Sequence, residues 1–113
     1  DLALKACEYH LHSHRAMELR GKTLLKLLNA TDALRRPDRF EAFLLACEAD
    51  ARGRLGLEDK PYPQGRYLRE AREIVMGVTA GLFPGVEGKA LGQAIAEERV
   101  RRLDEFRGSA GQG

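Results

Sequence analysis

Pro37-Asp38-Arg39-Phe40-Glu41-Ala42-Phe43-Leu44-Leu45-Ala46-Cys47 is the stretch that sets the fold class. Phe40, Phe43, Leu44 and Cys47 recur at i, i+3, i+4 and i+7, which is one face of an α-helix and not the alternation of a strand. Pro37 disfavours helical geometry at Arg36, so Arg35-Arg36-Pro37-Asp38 reads as a break, with Asp38 as the N-cap of the helix that follows.

Upstream, Gly21 and Thr23 open a short helix whose apolar residues are Leu24, Leu25, Leu27 and Leu28. Before it, Leu4, Cys7, Leu11 and His14 lie at i, i+3, i+7 and i+10 and form a further helical stripe. Downstream, the central helix should fray near Gly53 to Gly56, and Glu58 to Tyr62 is a polar loop. Pro63 suits the first turn of the next helix, where its missing N–H is no loss. Tyr67, Ala71, Ile74, Val75 and Val78 make the apolar face of that helix, which runs out by Gly81. Phe83-Pro84-Gly85 is a turn. A last helix starts near Glu87 or Gly88, carries Leu91, Ile95, Val100 and Leu103, and ends before Gly108, leaving a small polar tail expected to be mobile. No segment shows strand alternation, so the expected fold is an all-α bundle of about five helices.

Composition agrees. The 113 residues are 43% hydrophobic and 6% aromatic, enough for one modest core but too short for a second domain. No apolar run approaches the ~20 residues needed to cross a bilayer, and no signal peptide is visible. The chain opens on Asp1 with a helical pattern already running, so we expect a piece of something longer. Nineteen bases against 17 acids give a net charge of +2, too little by itself to imply a nucleic-acid or membrane partner. The distribution is more telling: Arg52, Arg54, Lys60, Arg66, Arg69 and Arg72 face only Glu58, Asp59 and Glu70 between Arg52 and Arg72, a local +3. Cys7 and Cys47 stand singly in apolar helical patterns and read as buried reduced thiols, which points to a cytoplasmic setting.

Three clusters could carry chemistry. His10, His12 and His14 fall within five residues, and on a helix His10 and His14 share a face with Cys7. That face suits a metal, yet it lacks the Glu of a zinc-protease helix and cannot close a tetrahedral site alone; packing or capping by the histidines is the competing reading. Asp50 follows Phe43 by seven residues, on the apolar side of its helix, and therefore needs a partner: a structural ion pair with an Arg, or a role as ligand or acid/base in a cleft. Finally, Tyr62-Pro63-Gln64-Gly65-Arg66-Tyr67-Leu68-Arg69-Glu70 interleaves aromatics and Arg at a helix start, where free N–H groups, the dipole and forked donors suit phosphate. A solvated helix face is the plainer reading. Gly85-Val86-Glu87-Gly88-Lys89 repeats that theme more weakly at the last helix.

Taken together, Glu48-Ala49-Asp50-Ala51-Arg52-Gly53-Arg54, Gly56 and Tyr62-Pro63-Gln64-Gly65-Arg66-Tyr67-Leu68-Arg69-Glu70-Ala71 resemble the C-terminal part of the bacterial multifunctional CCA family, tRNA nucleotidyltransferases with an HD phosphohydrolase domain. Tyr9-His10, His14, Lys22-Thr23 and the Pro37 break match in the same order, and the likeness runs from about Leu4 to Leu103. The resemblance implies an enzyme that adds or repairs the 3′ CCA end of tRNA from CTP and ATP with Mg²⁺. It also implies 2′,3′-cyclic phosphodiesterase, 2′-nucleotidase and phosphatase activities at an HD site using a divalent transition metal such as Ni²⁺. This chain departs from the family in having no Gly-rich strand-turn, no Asp-x-Asp pair and no His-Asp dyad. By matched position, His10 and His14 are the late histidines and Asp50 the late Asp of a partial metal site. Arg52, Arg54, Arg66, Arg69 and Lys89 are the candidate tRNA-backbone contacts.

The expected organisation is therefore residues 1–57 as the remainder of an HD-type helical domain, 58–107 as a helical region supporting the tRNA body, and 108–113 as a tail. Alone, the chain is expected not to transfer nucleotides and to hold no metal tightly. Two other readings remain: an HD-type phosphohydrolase segment with no RNA role, and a helical protein-interaction module marked by an exposed apolar patch.

Overall fold

Among the described residues there are four α-helices, α1 (Gly21–Ala30), α2 (Pro37–Gly53), α3 (Pro63–Met76) and α4 (Gly88–Gln112), with 3₁₀ turns at Ala16–Glu18 and Ala80–Leu82. The computed structural model describes residues 14–53 and 62–112, apart from the side chains of Arg52 and residues 110–112. The all-α expectation holds: every described element is helical. Of the first predicted stripe, Leu4, Cys7 and Leu11 lie outside the described residues, as do His10 and His12, while His14 is described.

One apolar cluster joins all four helices. Leu24, Leu27 and Leu28 of α1, Phe40, Phe43, Leu44 and Cys47 of α2, Tyr67, Leu68, Ala71 and Val75 of α3, and Leu103 of α4 are all buried within it. The Phe40, Phe43, Leu44 and Cys47 face thus points into the core as its spacing predicts, and Cys47 is buried there. On α4 the stripe is only partly used. Leu103 is fully buried and Val100 and Phe106 pack against the core, while Leu91 and Ile95 remain partly exposed, because the N-terminal half of α4 runs past the cluster.

Helix α1 lies against α4 at close range. The Gly21 N–H, an orphan donor at the start of α1, is accepted by Asp104 Oδ1 of α4 at 2.7 Å, a cap supplied from the other helix. A Cβ on Gly21 would lie 2.5 Å from the Val100 carbonyl oxygen, so glycine is required by the approach itself.

Helix α1 ends well before the proline break. The Ala33 N–H reaches the Leu28 carbonyl at 3.0 Å and the Asp32 N–H reaches the Asn29 carbonyl at 3.2 Å, the paired bonds of a Schellman end, with Asp32 left-handed at φ +57°. The Thr31 hydroxyl, buried, donates to the Leu27 and Leu28 carbonyls. At α2 the proline itself is the first helical residue, and Asp38 sits inside the first turn instead of capping it. A proline loses nothing there, and a first-turn carboxylate is favoured by the dipole. Pro63 opens α3 as predicted. The last helix does not stop at Gly108: α4 continues to Gln112. A Cβ at Gly108 would meet nothing within 4 Å, and an exposed glycine costs a helix only about 1 kcal/mol, too little to end one.

Candidate functional site

His14, Asp50, Tyr62 and Gln64 come from four separate places in the chain and meet at one point. His14 precedes the first 3₁₀ turn, Asp50 lies in the last turn of α2, Tyr62 stands just before Pro63, and Gln64 is in the first turn of α3. His14 Nε2 is 3.0 Å from Asp50 Oδ2, and His14 Nδ1 is 2.9 Å from the Tyr62 hydroxyl. The two rings meet edge to face, 5.7 Å apart at 89°. Gln64 Nε2 donates to the His14 backbone carbonyl at 3.0 Å, which ties the start of α3 to the segment carrying the histidine.

These partners fix the proton. A carboxylate only accepts, so a neutral His14 carries its hydrogen on Nε2 and donates it to Asp50; Nδ1 then accepts from the Tyr62 hydroxyl. The sequence placed Asp50 on the apolar side of its helix and in need of a partner. It does pair, with His14, but from an exposed position at the rim, while its neighbour Ala51 keeps the end of α2 against the core. Tyr62 and Gln64 were not singled out as partners of the histidine. Pro63 between them opens α3, and one residue on each side of it reaches His14, a pairing that nothing in the sequence marks.

An imidazole and a carboxylate 3.0 Å apart are donors of the kind a divalent transition cation takes. Among the described residues, however, no three or more His, Cys, Asp or Glu side chains gather into a metal-holding group. His14 and Asp50 therefore fit one edge of such a site, and His10 and His12 lie outside the described residues.

The basic candidates are dispersed. Arg66 is exposed and donates to Glu70 one turn along α3 at 3.2 Å. Arg69 spans to α2, its Nε–H shared between both Glu41 carboxylate oxygens at 3.0 Å, and this hydrogen bond holds its guanidinium above the ordinary arginine range. Arg72 turns inward and donates to the Ala33 carbonyl at 2.6 Å. Lys89 is exposed at the start of α4. Arg54 and the Arg52 side chain lie outside the described residues. The glycines beside Lys89 serve the backbone: Gly85 has φ +83° and Gly88 φ +61°, and a Cβ on either would meet nothing within 4 Å. Gly65 differs; a Cβ there would lie 3.2 Å from Arg69 Nη1, a tight approach to the end of a flexible side chain, and in ordinary contact with the Tyr62 ring. Among the described residues no helix is long and apolar enough to cross a membrane.

No family profile matches the chain, and no solved structure does. Similar curated proteins do exist, each called a multifunctional CCA protein. The chain is 58% identical to that of Alkalilimnicola ehrlichii over 91% of its own length and 25% of the relative's. It is 52% identical to that of Hahella chejuensis, over 95% of this chain and 26% of the relative, and 50% identical to that of Thioalkalivibrio sulfidiphilus, over 98% and 28%. Over nine-tenths or more of its length, the chain is thus related in sequence to multifunctional CCA proteins, of which it spans about a quarter.

Proposed function

We propose that this chain is the helical C-terminal segment of a CCA-adding tRNA nucleotidyltransferase, supporting the tRNA body while the rest of the protein builds the 3′ end from CTP and ATP with Mg²⁺. The reading is carried by identity of 50–58% to multifunctional CCA proteins across nearly the whole chain. Arg66, Arg69 and Lys89, with Arg52 and Arg54, contact tRNA phosphates; such contacts position an RNA without reading its bases, which suits an enzyme that accepts every tRNA. Arg66 and Lys89 are the better probes, since Arg69 ties α3 to α2 through Glu41, whereas the partner of Arg66 is Glu70 on its own helix.

We further propose that His14 and Asp50, together with His10, are the late residues of an HD-type phosphohydrolase site. A cation such as Ni²⁺ would supply Lewis-acid chemistry for phosphoester hydrolysis there. This chain's part is to hold the imidazole beside Asp50: with a cation in place, Nε2 would carry the lone pair toward it, the proton would sit on Nδ1 and be donated to the Tyr62 hydroxyl, and Gln64 holds the backbone. Without the family's His-Asp dyad the chain alone binds such a cation weakly, and without its Gly-rich strand-turn and Asp-x-Asp pair it transfers no nucleotides.

Filter binding of the full chain to several tRNAs across a salt series tests the tRNA reading. Arg66→Ala and Lys89→Ala should each weaken binding about equally for all tRNAs and reduce the salt slope by about one phosphate contact. Unchanged affinity in both variants would reduce this face to solvated surface. Calorimetry with Ni²⁺ tests the other part, and tight stoichiometric binding by this chain would overturn the partial-site reading.

A further inference from the structure

The turn between α1 and α2 and the flank of α4 enclose a cleft of about 450 Å³ lined by Asn29, Asp32, Leu34, Arg35 and Arg99. Among the described residues most arginines are paired with acids, and the two that line this cleft are not. Arg35 is exposed and makes no hydrogen bond or ion pair among the described residues. Arg99 is partly buried and uses one donor, its Nη2–H on the Val78 carbonyl at 3.1 Å; its Nε–H is buried without a partner, and no carboxylate among the described residues pairs with it. Burial pushes its guanidinium below the ordinary arginine range, the cost of a desolvated cation with no counter-charge.

Nor are these arginines needed to finish α1. The Leu27, Leu28 and Asn29 carbonyls at its C-terminus are already satisfied by the Thr31 hydroxyl and by the N–H groups of Thr31, Asp32 and Ala33. The one acid on the wall, Asp32, faces Arg39 at 3.4 Å, so its charge is largely answered from outside the cleft.

We propose that the Arg35–Arg99 cleft binds a single phosphate group, gripped by the two guanidinium groups with the Asn29 amide beside them. Phosphate fits better than a carboxylate because its oxygens point in three dimensions and can accept from two forks on different elements at once. The phosphate is one in an RNA backbone, an assignment that rests on the tRNA reading above; a nucleotide or free phosphate offers the same chemistry.

Two measurements on the full chain test this. Inorganic phosphate is titrated into protein labelled with ¹⁵N-arginine while the Arg99 Nε–H signal is followed, and tRNA affinity is measured by fluorescence anisotropy across salt. Phosphate should move the Arg99 signal. Arg35→Gln, at an exposed side chain whose loss leaves the fold intact, should weaken phosphate binding several-fold and lower the tRNA salt slope by about 0.7–0.9. An Arg99 signal unmoved by phosphate, with the R35Q slope equal to wild type, overturns the proposal. A moved signal with an unchanged slope assigns the cleft to free phosphate or nucleotide and overturns the backbone assignment. If wild type binds no tRNA while phosphate still moves Arg99, the tRNA reading fails and the cleft stands.

Discussion

His14 shows how a single side chain can be legible in sequence and still be half understood. Its spacing from His10 marked it, and the resemblance paired it with Asp50 across 36 residues, a contact the structure contains at 3.0 Å. What could not be read was Tyr62, because an aromatic before a proline carries no sign of where its hydroxyl goes. Tyr62→Phe should therefore release Nδ1. ¹⁵N shifts of neutral His14 should show the Nε2–H form alone in wild type and a mixture of tautomers in the variant, with stability lower by about 1 kcal/mol in chemical denaturation. A single unchanged tautomer in Y62F would mean that Asp50 alone sets the proton. Glu98 offers a second test at this scale. Hydrogen bonds from Arg101 and Arg102 lower its carboxyl to about 2. A lowered folded-state value contributes stability above the unfolded value near 4.3, and that contribution is lost as pH falls through about 2. The stability gap between wild type and Glu98→Gln should hence be full at neutral pH and close progressively below pH ~4. A gap independent of pH would assign it to packing.

Periodicity located α1 to α4 but not their ends, since an end is decided by a few hydrogen bonds. Helix α1 stops through a left-handed Asp32, where sequence habit would look for glycine, and α4 runs through Gly108 because nothing there competes for its carbonyls. The register between α1 and α4 was equally hidden. It depends on the absence of a side chain at Gly21 and on one carboxylate at Asp104, 83 residues away. Gly21→Ala must push the Val100 carbonyl and Asp104 apart, because a Cβ would sit 2.5 Å and 2.8 Å from their oxygens. Neither a backbone carbonyl nor a capping carboxylate can swing aside without losing a bond, so the strain falls in the usual overpacking range, a loss of about 1–3 kcal/mol. Asp104→Ala leaves the same N–H uncapped without strain and should cost about 1 kcal/mol. The thermal midpoint should fall further for G21A than for D104A; the reverse order would show that the cap, not the approach, holds the two helices.

At the scale of the molecule, the resemblance suggested a seam: residues 1–57 as the tail of one domain and 58–107 as the start of another. The packing of the described residues bears on whether such a seam is physical. Phe43 of α2 and Leu68 of α3 belong to the same buried cluster, as do Leu24 of α1 and Leu103 of α4, so the apolar surface on either side of position 57 is covered by the other. A helix pair stripped of its partner would expose the faces of Phe40, Phe43 and Leu44, a loss that marginal stability of about 5–15 kcal/mol does not tolerate. The two stretches should then unfold together. Phe43→Ala should cost about 3–5 kcal/mol and Leu68→Ala about 2–5 kcal/mol. Each should lower one shared transition, followed by far-UV circular dichroism and by the near-UV tyrosine signal. If Phe43→Ala instead splits the melt in two and leaves the tyrosine signal of α3 at its wild-type midpoint, the seam is real and the common core is only a contact between separately folded parts.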